Sequence, residues 1–350
     1  EDFFPYESDE RDPVEYFTDA LEKAQIALGE TGWFGWHAPG NTLPFDTIFP
    51  FPPRPMQQVA LDAADFSGGK PRLVLVEYLT GGGKTELAFY LADLLINQFD
   101  LAGIYVAMPT QTTSNQMFGR FQRFLGDRYP DQPVNLQLLH AEAESYLSHV
   151  QQTQPDRARD GNESAVAAEA WFRGRKRALL APFGVGTIDQ AMMSVLQMRH
   201  HFVRQYALAH KVVIGDEIHN YDAYMYTIIE RMLVWLNALQ AVPILLSATL
   251  SQGTRQRLLK QVGVQPNAIA DVPYPRMTVV QHDGTVEVHP LPAPPTRTLH
   301  LQHISADLAE LADWLANIYQ QGGCIAVVCN TVDEAIAVAS ALRAHEGFDP

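Results

Sequence analysis

Short apolar runs alternate with helical patterns through most of the chain from Arg72 onward. The apolar runs are RLVLVEYL, GIYVAMPT, VNLQLLH, RALLAPFGVGT, KVVIGDE and PILLSATL. Strands that are apolar along their whole length and separated by helices are typical of parallel sheets, because both faces of such a sheet are covered. The pattern therefore predicts an α/β fold in which a parallel sheet carries helices on both faces.

Other patterns flank this alternation. An amphipathic helix is predicted to end at Gly29, and residues 30–55, rich in Gly, Pro and aromatic residues, are predicted to dock on a domain surface. Residues 275–291 are predicted to form a hairpin that turns at Asp283 and Gly284.

A second alternation begins with RTLHLQHI and continues through a helix to the strand-like run GCIAVVCN. Because the chain starts at Glu1 and a helical pattern runs up to Pro350, we expect it to be part of a longer protein. We interpret the chain as an N-terminal helix and linker, a complete first lobe and the start of an incomplete second lobe, in residues 1–47, 48–290 and 291–350.

Composition narrows the class of protein. The length of 350 residues and the apolar content of 47% predict more than one core. The net charge of −15 argues against nucleic-acid binding over the whole surface but allows a local basic groove. We predict that Cys324 and Cys329 are reduced core residues on opposite faces of a strand, in a cytoplasmic protein. The sequence has no long apolar run or signal-peptide pattern and indicates no membrane association.

A phosphate-binding loop is predicted in the stretch YLTGGGKTEL, which follows a strand and precedes a helix. Gly83, Lys84 and Thr85 match the end of the G-x-x-x-x-G-K-[ST] motif. The backbone from Thr80 through Gly81, Gly82 and Gly83 would cradle phosphates, Lys84 would neutralise the terminal phosphates, and Thr85 would offer a hydroxyl to Mg²⁺. The alternative is a glycine-rich turn that only caps a helix.

Acidic residues follow the strand in VVIGDEIHNYD. We predict that Asp216 holds hydrated Mg²⁺ and that Glu217 orients and deprotonates the attacking water, because carboxylates at this edge of a parallel sheet face the phosphate loop. An acidic helix cap is the alternative. His219, Ser247 and Thr249 are predicted to couple the nucleotide to a neighbouring lobe, although His219 is also read as an ordinary polar strand-end residue.

Two further sets of residues are candidates for ligand contacts. Arg54 and Gln57 in PPRPMQ precede the phosphate loop, where the Gln57 amide could pair with adenine or be an ordinary surface group. Polar residues after strand ends, each also a plausible helix N-cap, are predicted to contact phosphates of single-stranded DNA without reading bases: Thr110, Gln111, Thr112, Thr187, Gln190, Asn330 and Thr331. The basic cluster RGRKR at residues 173–177 supports this path, or is a solvated face.

Taken together, the strings FPPRPMQ, TGGGKTE, AMPTQTTSNQMF, RKRALLAPFGVGTIDQAMM, KVVIGDEIHNYDAYM and LLSATLS resemble the superfamily 2 helicases, and more specifically the CRISPR-associated helicase-nuclease of type I systems. The resemblance implies RecA-like lobes and an ATP-driven motor that translocates 3′ to 5′ on single-stranded DNA. It also implies recruitment by an RNA-guided surveillance complex. Tyr78 and Leu79 depart from the small residue and proline that are usual in the family.

The same resemblance implies a metal-dependent HD nuclease, fused or separate, which this chain is not expected to contain. Its His-Asp dipeptide, His282 and Asp283, lies in the predicted hairpin turn. The family's late arginine motif, Gln-x-x-Gly-Arg-x-x-Arg, is also not in the sequence. Two alternatives remain open: another superfamily 2 translocase, such as a restriction or remodelling subunit, and a non-hydrolysing module that binds a nucleotide or a partner.

Overall fold

The structure is a computed structural model. It describes residues 12–30, 36–132, 134–143, 166–167, 178–196, 201–265, 269–270, 272–294, 298, 300–305, 307–322 and 324–345. The basic cluster RGRKR lies outside these ranges.

The described strands form one sheet. They are β1 Leu73–Glu77, β2 Ile104–Met108, β3 Val134–Leu139, β4 Val166–Ala167, β5 Phe183–Thr187, β6 Val212–Gly215, β7 Val242–Ser247, β8 Arg276–Val280 and β9 Val286–Pro290. Their order is β4-β3-β5-β2-β6-β7-β1-β8-β9. All pairs from β4 to β1 are parallel, whereas β8 and β9 are antiparallel additions at one edge. The six predicted strands and the predicted hairpin are confirmed.

The structure also describes the helices of the chain. The described helices are α1 Pro13–Glu30, α2 Phe45–Ile48, α3 Pro55–Asp62, α4 Lys84–Phe99, α5 Gln111–Arg128, α6 Ile188–Met192, α7 His201–Leu208, α8 Ala223–Ala238, α9 Gln252–Gln261, α10 Leu308–Tyr319 and α11 Val332–Ala344. Among them, none is long and apolar enough to cross a membrane.

Alternation along β1 explains the two cores. Val74 and Val76 pack in a cluster with residues of α4 and α5, whereas Leu73 and Leu75 pack in a second cluster with residues of α8 and α9. Successive strand side chains point to opposite faces, so a fully apolar strand supplies both clusters. Each fully buried side chain of this size contributes about 1.5–3 kcal/mol. The predicted covering of both faces is confirmed.

The segment before the sheet is attached through Arg128, which also forms a buried ion pair. Arg128 Nε donates to Asp93 Oδ1 at 2.9 Å, which joins the end of α5 to α4. Arg128 Nη2 also donates to the backbone oxygen of Asn41 at 2.6 Å, and Phe45 and Phe49 are buried in the core. The prediction that residues 30–55 dock on the domain is confirmed for the described part from residue 36.

Backbone contacts divide the chain between Pro294 and Pro295. The described part of the second unit contains α10 and α11, but no strand is assigned there, so the strands predicted in RTLHLQHI and GCIAVVCN are not found. Cys324 is exposed and Cys329 is half-buried, both with free thiols, and their predicted core position is therefore wrong. A strand is held by hydrogen bonds to a neighbouring strand, and the described residues of this unit supply none.

Candidate nucleotide-binding site

The loop between β1 and α4 has the backbone of a phosphate cradle. Gly81 and Gly83 have φ values of +74° and +94°, in the left-handed region that glycine adopts at no steric cost, and Gly83 is the N-cap of α4. Gly82 is needed for a different reason, because a Cβ there would lie 2.3 Å from Cδ1 of Tyr78. The loop thus joins strand to helix as the motif requires.

Lys84 lies at the first position of α4 and is only 5% exposed. Its Nζ donates to the backbone oxygens of Tyr78 at 2.9 Å and Leu79 at 3.1 Å. Burial lowers the pKa of Lys84, and the negative charges of Glu217 and Asp216 oppose that shift. The ammonium group is therefore held beside both carboxylates, folded back on the loop.

Asp216 follows β6 and is buried, whereas Glu217 is half-buried. Burial raises the pKa of the Asp216 carboxyl, the charge of Glu217 raises it further, and the charges of Lys84 and Arg120 lower it. The Glu217 backbone N–H donates to Asp216 Oδ1 at 2.8 Å. Glu217 itself has a φ of +51°, a left-handed conformation that costs a residue with a side chain roughly 1–2 kcal/mol.

One cavity of about 370 Å³ brings most of the predicted nucleotide and metal residues together. This volume falls in the range of small-molecule sites, about 300–1,000 Å³. The predicted residues that line it are Arg54, Thr80, Gly81, Gly83, Lys84, Thr85, Asp216 and Glu217. The residues that sequence reasoning missed are Glu86, Met108, Thr113, Gln116, Met117 and Arg120. Gly82 and Gln57 are not in the lining.

A periodic signal for the missed residues exists. Thr113, Gln116, Met117 and Arg120 recur at intervals of three and four along α5, which places them on one helical face. Glu86 follows Thr85 directly and is paired with Arg120 across α4 and α5. The face of α5 that points to the phosphate loop would have identified the four residues on that helix, but neither Glu86 nor Met108.

Gln57 is buried and contacts the phosphate loop. It is 1% exposed, its Oε1 accepts from the Arg54 backbone N–H at 2.7 Å, and its Nε2 donates to the Gly83 backbone oxygen at 2.9 Å. Both ends of the amide have a protein partner in this geometry, and the pairing of Gln57 with adenine stays a prediction. Gln57 connects the start of α3 to the phosphate loop, as does Arg54, whose Nη1 donates to the Gly81 oxygen at 2.7 Å.

The three predicted coupling residues lie near one another, but not all of their side chains are in contact. His219 Nδ1 lies 3.3 Å from Glu217 Oε2 and 3.3 Å from the backbone nitrogen of Ala248, but 3.5 Å from Ser247 Oγ. Ser247 Oγ donates to the backbone oxygen of Thr249 at 3.0 Å. His219 therefore connects Glu217 to the end of β7 mainly through the Ala248 backbone.

The predicted DNA-contact residues differ in accessibility. Thr110 caps α5, and both Thr110 and Thr112 are exposed, with Gln111 half-buried between them. Thr187 is buried, and the side-chain oxygen of Gln190 accepts from Arg204 Nη1 at 2.9 Å. Asn330 and Thr331 lie in the second unit, where Thr331 caps α11. Thr110, Thr112, Asn330 and Thr331 are thus exposed, whereas Thr187 is buried.

The donor set fits Mg²⁺. Thr85 and Asp216 line the same cavity and offer a hydroxyl and a carboxylate. Mg²⁺ at nucleotide sites usually takes one or two protein oxygens and completes its shell with water and substrate phosphates. Among the described residues, no group of three or more His, Cys, Asp and Glu side chains forms another metal site. Asp283 instead shapes the hairpin turn by accepting from the Thr285 backbone N–H at 2.8 Å.

Known proteins match both the sequence and this geometry. The profile of the family described as type III restriction enzyme, res subunit, matches residues 50–252, more than half of the chain. The CRISPR-associated endonuclease/helicase Cas3 of Thermus thermophilus is 36% identical over 338 residues, which cover 95% of this chain and 36% of that protein. The chain thus spans little more than a third of that relative's length.

Solved structures give the same result. The crystal structure of T. fusca Cas3-ATP matches with a TM-score of 0.75 at 31% identity, over 94% of this chain and 39% of that chain. A CRISPR RNA-guided surveillance complex, pre-nicking, matches with a TM-score of 0.60 at 25% identity, over 93% of this chain and 34% of that chain.

The family match includes the phosphate loop, both carboxylates and the end of β7. The predicted RecA-like fold is confirmed by the similarity to the T. fusca structure. The chain therefore belongs to the family of the type III restriction enzyme res subunit, and its resemblance to CRISPR-associated helicase-nucleases is confirmed by its similarity to Cas3.

Proposed function

We propose that the cavity at the end of β1 and β6 binds ATP and that the chain is the ATP-binding part of a DNA motor. The observation that carries this proposal is the convergence of Lys84, Thr85, Asp216 and Glu217 on one cavity from two separate strand ends. A glycine-rich turn that only capped a helix would not require a buried and a half-buried carboxylate opposite it. The T. fusca relatives solved as ADP, AMPPNP and ATP forms support the choice of ligand.

Each residue has a role in this proposal. The loop backbone and Lys84 bind the phosphates, and Thr85 with Asp216 would hold Mg²⁺, which neutralises phosphate charge when bound. Glu217 accepts a proton from the attacking water, because its carboxylate lies at the cavity while its neighbour Asp216 faces the metal position. His219, in contact with Glu217 and with the backbone after β7, transmits the state of the site toward Ser247 and Thr249.

The names of the relatives support a proposal for the macromolecular partners. We propose single-stranded DNA as the track, contacted first at the exposed start of α5, and a type I CRISPR surveillance complex as the recruiting partner. The nuclease activity named in the Cas3 relatives is assigned to a separate HD domain, fused or bound. The proposed cytoplasmic, membrane-free setting agrees with the CRISPR role.

Lys84→Ala tests the binding half of the proposal. We expect affinity for a fluorescent ATP analogue to fall about tenfold or more, because a charge-assisted contact to phosphate is lost. The matched control is Lys260→Ala, which removes an exposed lysine of α9. Equal affinity of Lys84→Ala and the control, with both proteins folded by circular dichroism, would reject the phosphate-loop assignment.

Glu217→Gln tests the hydrolytic half. We expect nucleotide affinity to stay within about twofold and DNA-stimulated ATP hydrolysis to fall by about 10² or more, the usual scale for a positioned base. Hydrolysis is measured in a protein extended to the length of the Cas3 relatives, with Glu22→Gln as the control at an exposed position. A parallel loss of binding and hydrolysis would assign Glu217 a structural role instead.

A further inference from the structure

An arginine that the phosphate-loop motif does not include lies in the wall of the cavity. Arg120 projects from α5, and its Nη2 donates to Oε1 of Glu86, the residue after Thr85 on α4. The charge of Arg120 also lowers the pKa of Asp216. Arg120 lines the same cavity as Thr85 and Asp216, the two residues that would hold the metal, and its partner Glu86 directly follows Thr85.

The three cations of the cavity are engaged in different ways. Lys84 Nζ donates to two loop carbonyls, and Arg54 Nη1 donates to the Gly81 carbonyl. Arg120 is instead paired with a carboxylate, that of Glu86. A carboxylate and a phosphate present similar pairs of oxygens to the planar fork of an arginine. A nucleotide phosphate is therefore a direct competitor of Glu86 for Arg120.

The Arg120 to Glu86 pair is well suited to exchange. The Arg120 side chain is 46% exposed and that of Glu86 is 22% exposed. An ion pair with this exposure contributes little to stability because water screens it and holding two long side chains costs entropy. The guanidinium can leave Glu86 without unfolding either helix.

We propose that Arg120 binds the terminal phosphate of the nucleotide and that Glu86 pairs with the Arg120 guanidinium while no nucleotide is bound. This inference rests on the proposed ATP site. Glu86, the partner of Arg120, directly follows Thr85, and Arg120 lines the cavity together with Thr85 and Asp216, so this position on the metal side of the cavity assigns Arg120 to the terminal phosphate and not to the phosphates cradled by the loop. The two residues then have opposite effects on affinity: Arg120 favours ATP, and Glu86 opposes it.

The experiment compares ATP and ADP binding by the 350-residue chain, using the same fluorescent label on both nucleotides with Mg²⁺ present. For Arg120→Ala we expect ATP affinity to fall about tenfold and ADP affinity to change less than about twofold, because ADP lacks the terminal phosphate. For Glu86→Gln we expect ATP affinity to rise about threefold, since a competing anion is removed. Arg120→Lys should retain part of the affinity because it keeps the charge without the fork.

Arg123→Ala is the matched control, at an exposed position of the same helix outside the cavity lining. Thermal melting of each variant establishes folding. Equal losses of ATP and ADP affinity in Arg120→Ala, or weaker ATP binding in Glu86→Gln, would overturn the inference while leaving the ATP site intact. Failure of the unsubstituted chain to bind either nucleotide would overturn the proposed function and this inference together.

Discussion

Tyr78 occupies a loop position where a small residue is usual in the family that this sequence resembles. Its side chain is buried, and the ring lies so close to Gly82 that a Cβ on that glycine would be 2.3 Å from Cδ1 and 2.5 Å from Cε1. While Tyr78 is present, its ring leaves no room for a side chain at position 82. A large side chain before the loop therefore makes the middle glycine a steric requirement rather than a conformational one.

This contact gives a prediction for Gly82→Ala. We expect the variant to lose about tenfold or more in ATP affinity, because the loop must shift away from the ring, and to lose less than about threefold in a Tyr78→Val background. The measure is a double-mutant cycle on nucleotide affinity, where contacting residues typically couple by about 0.5–3 kcal/mol. Gly119→Ala is the control, since a Cβ there meets nothing within 4 Å. Equal losses in both backgrounds would contradict the prediction.

Between elements, Lys211 joins the start of β6 to the 3₁₀ turn that leads into β5. It is buried, and its Nζ donates to the backbone oxygens of Leu179, at 2.9 Å, and Ala181. Burial lowers the pKa of Lys211 to about 7. A neutral amine still has two N–H donors, which is enough for both carbonyls.

The lowered pKa of Lys211 predicts that stability rises with pH. Between about pH 7 and pH 10.4 the unfolded lysine is protonated while the folded one is neutral, so the unfolded state binds more protons. This lysine should add up to about 1.4 kcal/mol of unfolding free energy per pH unit within that window. Lys211→Met should remove that part of the slope in urea unfolding at pH 7.5, 8.5 and 9.5, and the exposed-site control Lys260→Met should retain it. An unchanged slope in Lys211→Met would show that the amine stays charged.

For the molecule as a whole, the nucleotide cavity is contained in the first compact unit. Every lining residue falls between Arg54 and Glu217, and the division of the chain lies after Pro294. The elements that carry the lining residues, from α3 to the end of β6, also belong to this unit. Nucleotide binding should therefore not depend on residues 295–350.

A chain ending at Pro294 tests this independence. We expect its ATP affinity to be within about twofold of the 350-residue chain, because every described lining residue of the cavity precedes Pro294. Its affinity for single-stranded DNA should fall if Asn330 and Thr331 contribute to the track, and the loss should be similar for all sequences because phosphate contacts carry no base information. Loss of ATP binding by a folded Pro294 chain would contradict the division.

Most of the first unit was predictable from local order along the chain. The period of apolar residues predicts the strands, and the order of strand, glycine loop and helix predicts where phosphates bind. The carboxylates Asp216 and Glu217 were predictable at the same edge because parallel strands bring their carboxyl ends together. Each of these inferences depends on neighbours in sequence or on a general rule of sheet geometry.

Contacts between side chains that are distant in the sequence could not be predicted from local sequence order. Gln57 could have faced either a ligand or the protein, and its burial against Gly83 became clear only in three dimensions. Arg120 and Glu86 meet because α4 and α5 pack side by side, although the two residues are 34 positions apart in the sequence. Strand-like apolar runs at Cys324 and Cys329 form no strand, because a strand requires a partner as well as a pattern. Local periodicity thus determines which elements can form, whereas packing between elements decides which side chains share a cavity and which are held by the protein itself.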